Sequence, residues 1–453
     1  MRIHFIAIGG TAMHSLAIEV SKKGHKVSGS DDQIYEPSKS NLIKAGLFPS
    51  KLGWFSNKIS LKIDLIILGM HAKNDNVELK KAQSLGLKIK SYPEFISSIC
   101  SNKTRVVVSG SHGKSTISAM VLHAMKYNNI EIDYIIGASI KGFKETISLS
   151  DNNDFILIEG DEYLSSCLDL KSKFLWYKPH IAIINGVSWD HVNVFPTYKS
   201  YLDQFKKFVL SISEGGVLFY NSSDENLVEI INNIDHSIKK IPYKISDYEI
   251  NKGVTYVKSF EGKIKLNFFG KHNLINLEGA RLLCQYMGVN ETDFFESIYS
   301  FNGVSGRLEL LASGKTSFLY KDFAHAPSKV KATKDAVLEQ FKGYRIVICL
   351  ELHTYSSLDL TFLKNYSDTL NGVDKIIVFY SLDVLKAKNR DIISSFQIKE
   401  AFNNQNIELI TNSSNFKRNL YNDDYYNTLV LMMSSGNFDG FNYKSFVSYI
   451  ESF

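Results

Sequence analysis

Three short runs constrain this chain most: RVVVSG (105–110), FILIEG (155–160) and IAIING (181–186). Each carries consecutive apolar, mostly β-branched residues and stops at a glycine. A strand with one wet face alternates apolar and polar residues. A strand apolar throughout is buried on both faces, as in a parallel sheet covered by helices on both sides. Strand-like runs alternate with helix-length segments along nearly the whole chain. IHFIAI (3–8) precedes a helix near 12–23, KVSGSD (26–31) reads as the next strand, and DLIILG (64–69) and LKIKS (87–91) continue the series. The helical NLINLEGARLLCQYMG (273–288) ends at a glycine. SFLYKDFAHAP (317–327), YRIVICLE (344–351), DKIIVFYS (374–381) and YNTLVLMMSSGNF (426–438) repeat the pattern. The expected class is α/β with parallel sheets.

At 453 residues the chain exceeds one ordinary core. Three α/β domains are expected, over 1–102, 103–310 and 311–453. The polar SSICSNKTR (97–105) holds the first boundary. A 44% hydrophobic and 22% charged composition is that of a soluble globular protein. The 52 basic and 47 acidic residues leave a net charge of +5 without a basic stripe, so no nucleic-acid partner is expected. Apolar runs such as DLIILGM (64–70) are strand-sized, so no membrane span is expected. MRIHFIAIGG at the start reads as a first strand and turn rather than a signal peptide. Cys100, Cys167, Cys284 and Cys349 are far apart with no CxxC pair, which points to a reducing cytoplasm and no structural zinc. Nothing in this pattern sets an oligomeric state.

The stretch VVVSGSHGKST (106–116) delivers a glycine turn to a helix. Such a turn lets backbone N–H groups converge on phosphate oxygens, and the helix adds the positive end of its dipole. Gly110, Ser111, His112, Gly113 and Thr116 would line that cradle, Lys114 would place its charge on the phosphates, and Ser115 or Thr116 would hold Mg²⁺. An ordinary strand–helix turn with a surface lysine fits the same residues. The longer P-loop pattern needs glycine at position 108, where this chain has Val108. EGDEY (159–163) ends another apolar run, so Glu159 or Asp161 could reach a metal at Ser115. INGVSWDHVNVFP (184–196) brings Asp190 and His191 to a third strand end. Ligands of open α/β sheets bind at that edge.

GSHGKST, EGDEY, NGVSWDH and GKHNLIN, in that order, resemble the ATP-dependent Mur ligase family. Its short phosphate loop, G-T-x-G-K-[ST], needs no glycine at 108. The similarity runs from AIGGTAM near the start to MSSGNF near the end. It implies a Rossmann-like N-terminal domain binding a UDP-sugar, a central P-loop ATPase domain with a parallel sheet, and an α/β Rossmann-like C-terminal domain that handles the amine substrate. It makes Lys114 the phosphate lysine, and Ser115 and Glu159 ligands of one Mg²⁺. His191 helps hold a second metal. Asn273 and Asn276 lie near adenine, Arg307 reaches the ATP phosphates, and Asp322 lies near the ribose. His325 stands where the amine is handled. Gly9, Gly10, Thr11 and Asp31 correspond to the UDP-binding turn, where Ala7 and Ala12 replace common glycines; a dinucleotide-binding turn is the rival reading of this segment. Lys206 has the spacing of a carbamylated family lysine, but DQFKKFV (203–209) also reads as a solvated helix face.

The implied reaction is ATP-driven amide ligation through an acyl phosphate of UDP-N-acetylmuramate, with catalysis carried by Lys114, His191 and Arg307. Two muramate-specific branches differ in the amine, one taking L-alanine and the other a recycled L-alanyl-γ-D-glutamyl-meso-diaminopimelate. EGDEY, DFAHAP and the arginine-free LELHTYSSL (350–358) favour the small peptide. A nucleotide-binding protein without catalysis is the alternative from another class.

Overall fold

The three apolar runs lie side by side at the middle of one sheet. The structure, a computed structural model, describes residues 1–453 except 138, 141, 144 and 261. The chain packs as two compact units.

Unit 1 comprises Met1–Val187, Thr197–Tyr243 and Gly279–Asn290. Its first sheet contains β1 (Arg2–Ile6), β2 (Lys26–Ser30), β3 (Leu65–Leu68) and β4 (Ile89–Ser91) in the order β2-β1-β3-β4, all parallel. Its second sheet is built from β5 (Thr104–Ser109), β6 (Asp133–Ile135), β7 (Ile147–Ser148), β8 (Phe155–Glu159), β9 (Ile181–Ile184), β10 (Val217–Asn221) and β11 (Lys239–Tyr243). The order is β11-β10-β9-β5-β8-β6-β7, with β7 antiparallel at one edge. β5 therefore has β8 on one side and β9 on the other. Val106, Val107, Val108, Ile156, Leu157 and Ile158 are all buried, as an all-apolar strand requires.

Unit 2 comprises Ser188–Pro196, Lys244–Glu278 and Glu291–Phe453. It holds an antiparallel ribbon of β12 (Tyr248–Asn251), β13 (Val254–Ser259) and β14 (Gly262–Lys265). Its main sheet contains β15 (Glu309–Ser313), β16 (Ser317–Asp322), β17 (Arg345–Glu351), β18 (Lys375–Phe379), β19 (Ile407–Ile410) and β20 (Thr428–Met433). The order is β15-β16-β20-β17-β18-β19, parallel except for β15. Side chains alternate along a strand, and both faces of this sheet are apolar. Ile346, Ile348 and Leu350 of β17 join one core, and Val347 and Cys349 join the other.

The α/β architecture agrees with the expectation from sequence. The strand reading missed β6, β7, β10, β11, β12, β13, β15 and β19, which are short and mostly carry polar residues among the apolar ones. All four cysteines are free. Among the described residues no helix is long and apolar enough to cross a membrane.

One buried ion pair ties the entrance of β5 to β6. Lys103 Nζ lies 3.1 Å from Asp133 Oδ2, with 7% and 0% of the two side chains exposed. Asp133 Oδ1 also accepts from the Ser150 N–H at 2.8 Å and from Asn153 Nδ2 at 2.9 Å. Breaking a buried pair by removing one partner leaves a charge without compensation. Lys103→Met should therefore cost about 3–5 kcal/mol, and Lys103→Met with Asp133→Asn should cost less than Lys103→Met alone. Urea unfolding of the two variants beside the unmodified protein checks this order.

Candidate active site

The P-loop follows from where β5 stops. Gly110 has φ +125°, and a Cβ there would lie 2.9 Å from the Asn185 backbone nitrogen and 3.1 Å from that of Gly186. Gly113 caps the following helix, Lys114–Tyr127, with φ +76°. Both conformations favour glycine. The loop is tied to the end of β9 by Asn185 N–H to Ser109 O (3.1 Å), Ser111 N–H to Gly186 O (2.8 Å) and Asn185 Nδ2 to His112 O (3.2 Å). Tyr243 donates to Asn185 Oδ1 at 2.6 Å and orients that amide.

Two carboxylates from the end of β8 meet the start of the P-loop helix. Ser115 Oγ donates to Glu159 Oε1 at 2.9 Å, and Glu159 Oε2 accepts from the Gly137 N–H at 2.9 Å. Lys114 Nζ donates to Glu162 Oε2 at 2.8 Å and to the Gly110 carbonyl at 2.6 Å. Burial works against the Lys114 ammonium, but the Glu162 and Asp161 carboxylates outweigh it and hold its pKa above the ordinary lysine value. Asp161 pairs with Lys173 at 2.6 Å. Burial pushes the Asp161 pKa up, and the Lys173 charge outweighs it and brings the pKa below the usual value. Of the two acids that could face Ser115, the structure puts Glu159 there and turns Asp161 to Lys173. Thr116 is buried in the first turn of the helix.

Ser115 and Glu159 are hard oxygen donors already converged on each other. Mg²⁺ at phosphates takes one or two carboxylates, with water in the remaining positions. The pair fits that ion. Among the described residues no group of three or more His, Cys, Asp or Glu is gathered as a metal cage.

Asp190 and His191 follow β9 but belong to unit 2. Lys329 Nζ lies 3.3 Å from Asp190 Oδ2, and the His191 N–H donates to Asp190 Oδ1 at 2.8 Å. His191 has φ +57°, a left-handed conformation uncommon for a non-glycine residue. Burial raises the Asp190 pKa, but the charges of Lys329, His191 and His325 outweigh it and hold the carboxyl far below its usual range. His325 is pushed down to about 4 by burial and by Lys329. Its Nδ1 lies 2.8 Å from the Phe323 carbonyl, which can only accept, so Nδ1 carries the proton and Nε2 keeps its lone pair. The Arg307 guanidinium stacks 4.5 Å from the centre of the Phe323 ring. Asp322, at the end of β16, accepts from Thr333 Oγ1 at 2.5 Å. Asn273 Nδ2 donates to Phe269 O at 2.9 Å, and Asn276 Nδ2 lies 3.4 Å from Asn273 Oδ1.

Where β17 and β20 end, Glu351 is 1% exposed and accepts from Ser434 Oγ and from the Phe438 N–H. His353 Nδ1 lies 3.5 Å from Glu351 Oε1. The buried atoms His353 Nδ1, Ser435 Oγ and Tyr443 Oη have no hydrogen bond among the described residues.

At the N-terminal turn the Gly9 N–H donates to Asp31 Oδ2 at 2.7 Å. A Cβ on Gly9 would meet Ile34 Cγ1 at 2.7 Å, which accounts for glycine there. Gly10 caps the helix Thr11–Lys22. Burial, with Asp32 beside it, pushes the Asp31 carboxyl up to about 6. Lys206 is 48% exposed on the helix Tyr198–Leu210 and lies 3.7 Å from Asp203.

Sequence reasoning passed over Glu162, Tyr201 and Lys329. Glu162 stands inside EGDEY, so its acidity was visible, but its aim at Lys114 was not. Tyr201 and Lys329 carry no local motif; only the packing of their helices brings them to the acids.

The family description "Mur ligase middle domain" matches residues 108–284, and "Mur ligase family, catalytic domain" matches residues 2–104. A UDP-N-acetylmuramate–L-alanine ligase of Clostridium tetani is 28% identical, over 96% of this chain and 95% of its own length. One from Caldicellulosiruptor bescii is 29% identical over 86% and 85%. The solved UDP-N-acetylmuramate–alanine ligase of Thermotoga maritima superposes with a TM-score of 0.74 at 18% identity, covering 100% of this chain and 99% of its own. A murein peptide ligase from Psychrobacter arcticus gives 0.68 at 21%, with the same coverage.

Lys114→Met should remove a charge aimed at the loop and also strand Glu162, which is 1% exposed. The expected loss of stability is about 3 kcal/mol, recovered in large part by adding Glu162→Gln. Thermal unfolding of both variants checks it. His325 should titrate near pH 4, well below 6.5, in a histidine NMR titration. Between those values the unfolded chain binds more protons, so this group's contribution to stability falls as pH drops from about 6.5 to about 4.

Proposed function

The chain belongs to the Mur ligase family of ATP-dependent, ADP-forming carbon–nitrogen ligases, and we propose that it joins L-alanine to the lactyl carboxylate of UDP-N-acetylmuramate. The P-loop, with Lys114 beside Glu162 and Ser115 beside Glu159, carries the ATP half of this reading. The curated relatives support the alanine half, since the two described above are ligases of UDP-N-acetylmuramate and L-alanine. This reverses the preference for a recycled peptide drawn from EGDEY, DFAHAP and LELHTYSSL.

In this reading a carboxylate oxygen of UDP-N-acetylmuramate attacks the γ-phosphorus and ADP leaves. The amine nitrogen then attacks the carbonyl carbon of the acyl phosphate, inorganic phosphate leaves, and the nitrogen loses a proton. Phosphoryl transfer asks the protein mainly for position and charge. Lys114 supplies a fixed positive charge to the phosphates. Ser115 and Glu159 would hold Mg²⁺, which neutralises phosphate charge when bound, and His191 would contribute to a second, weaker ion. Asn273 and Asn276 are assigned to adenine, Asp322 to the ribose, and Arg307 to the phosphates. His325, neutral at pH 7 with a lone pair on Nε2, is assigned to the amine. Gly9, Gly10, Thr11 and Asp31 are assigned to the UDP-sugar.

A second reading keeps L-alanyl-γ-D-glutamyl-meso-diaminopimelate as the amine. One observation favours it: the segment after β17 offers no arginine, and the group buried there is the Glu351 carboxylate. Arginine grips a carboxylate bidentately, whereas a second carboxylate repels it. Free alanine has little else to hold.

The deciding measurement is kcat/KM for both amines with ATP and UDP-N-acetylmuramate. A preference of tenfold or more for L-alanine is expected. The opposite preference would install the peptide reading, and the absence of any amide product with either amine would remove the ligase reading.

A further inference from the structure

The P-loop lysine is held by more than the loop. Glu162 uses one oxygen, Oε2, for Lys114 Nζ at 2.8 Å; its other oxygen, Oε1, accepts from the Tyr201 hydroxyl at 3.0 Å. The Tyr201 hydroxyl also lies 2.8 Å from Ser111 Oγ, inside the P-loop itself. The direction of these bonds is determined by chemistry. An ionised carboxylate only accepts, so the single phenolic hydrogen goes to Glu162. Ser111 must then donate to Tyr201, and its 3.3 Å approach to the Gly186 carbonyl is the weaker alternative. The chain of bonds starts at Ser111, passes through two buried side chains and returns to the loop at Lys114. Lys114 closes it by donating to the Gly110 carbonyl at 2.6 Å.

An ammonium has three N–H bonds. Two of those on Lys114 are directed at Glu162 and Gly110, its hydrogen-bond partners among the described residues. The tetrahedral nitrogen therefore points its third N–H in one direction. Tyr201 is 0% exposed and sits against Phe205 with ring centres 5.3 Å apart, so its hydroxyl has little freedom to follow a moving carboxylate.

We propose that Tyr201 and Glu162 are positioning residues for the ligation reaction. Tyr201 holds Glu162, and Glu162 aims the Lys114 ammonium at the transferring phosphoryl group. The proposal rests on the ligase reading above. A charge donor matters most where negative charge develops in the transition state. Loosening its aim should lower kcat and leave ATP affinity nearly unchanged, because a loosened lysine can still find a bound phosphate.

Tyr201→Phe keeps the ring and removes one oxygen. Its kcat should fall about tenfold while KM for ATP stays within about twofold. Glu162→Gln, which also removes the charge, should cost more. The double variant should be no worse than Glu162→Gln alone, because both act through one chain of bonds. A readout independent of ligation is the slowly exchanging ammonium signal of Lys114 in ¹⁵N-lysine-labelled protein, assigned by its loss in Lys114→Arg. It should be present in the unmodified protein and lost in Tyr201→Phe. Circular dichroism checks that each variant is folded. If Tyr201→Phe does not fold, Glu162→Gln removes the carboxylate that Tyr201 holds and should lose the Lys114 signal; a folded Glu162→Gln that keeps it would overturn the proposal. A folded Tyr201→Phe with kcat within twofold of the unmodified protein, additive losses in the double variant, or a persistent Lys114 signal would each overturn the proposal. If the unmodified protein ligates neither amine, the ligase reading fails, and the ammonium signal alone decides whether Tyr201 holds the lysine.

Discussion

Burial of parallel strands on both faces is the constraint on which the rest depends. It leaves each strand of the second sheet of unit 1 only one place to present polar chemistry, the loop beyond its carboxyl end. β5 sits between β8 and β9, so its loop is flanked by theirs. Ser109 pairs with Ile184 and Val108 with Glu159, so the three strands end within one residue of one another. A phosphate loop, a carboxylate segment and an amide-bearing turn therefore meet without any long-range device. Lys114, Ser115, Glu159, Glu162 and Asn185 converge because the sheet gives them no other exit.

Charge is then balanced locally at each place where it is buried. Glu162 is almost inaccessible and is matched by Lys114; Asp161 is matched by Lys173, and Asp190 by Lys329. For Asp161 and Asp190 the lysine charge outweighs burial and holds the carboxyl below its usual range. Asp31 shows the other outcome. It has backbone N–H donors but lies beside Asp32, and its carboxyl is pushed up to about 6. The turn after β5 thus holds an ammonium whose pKa is raised, whereas the N-terminal turn carries a carboxyl that responds to mild acid.

The identity of the amine illustrates how far a missing motif can be read. The absence of arginine over 350–358 is a statement about one segment. Relatives named for L-alanine match along most of the chain at 28–29% identity. Overall similarity weighs shared chemistry, while a single segment weighs one contact. That difference in what is sampled explains why the two lines point to different amines.

By itself the sequence determined the class of fold, because an apolar run such as FILI or IAII has no solvent-tolerant face and must lie inside a covered sheet. It also made the glycine turn between β5 and its helix legible, because Gly110 and Gly113 tolerate the positive φ found there, with Lys114 and Ser115 following at fixed spacing. Glu159 was legible as an acid at the end of a strand. Several things were decided only by tertiary structure. Strand order put β8 and β9 on either side of β5, which no local pattern encodes. The choice of Glu159 for Ser115, Asp161 for Lys173 and Glu162 for Lys114 depends on side-chain directions within four residues. Tyr201 reaches Glu162 from a helix thirty-nine residues away in sequence, and Lys329 reaches Asp190 across one hundred and thirty-nine. The physical reason is the same throughout: backbone preference and binary pattern act over a few residues and can be read along the chain. The partner of a buried charge is chosen by whatever the packed core brings within about 3 Å.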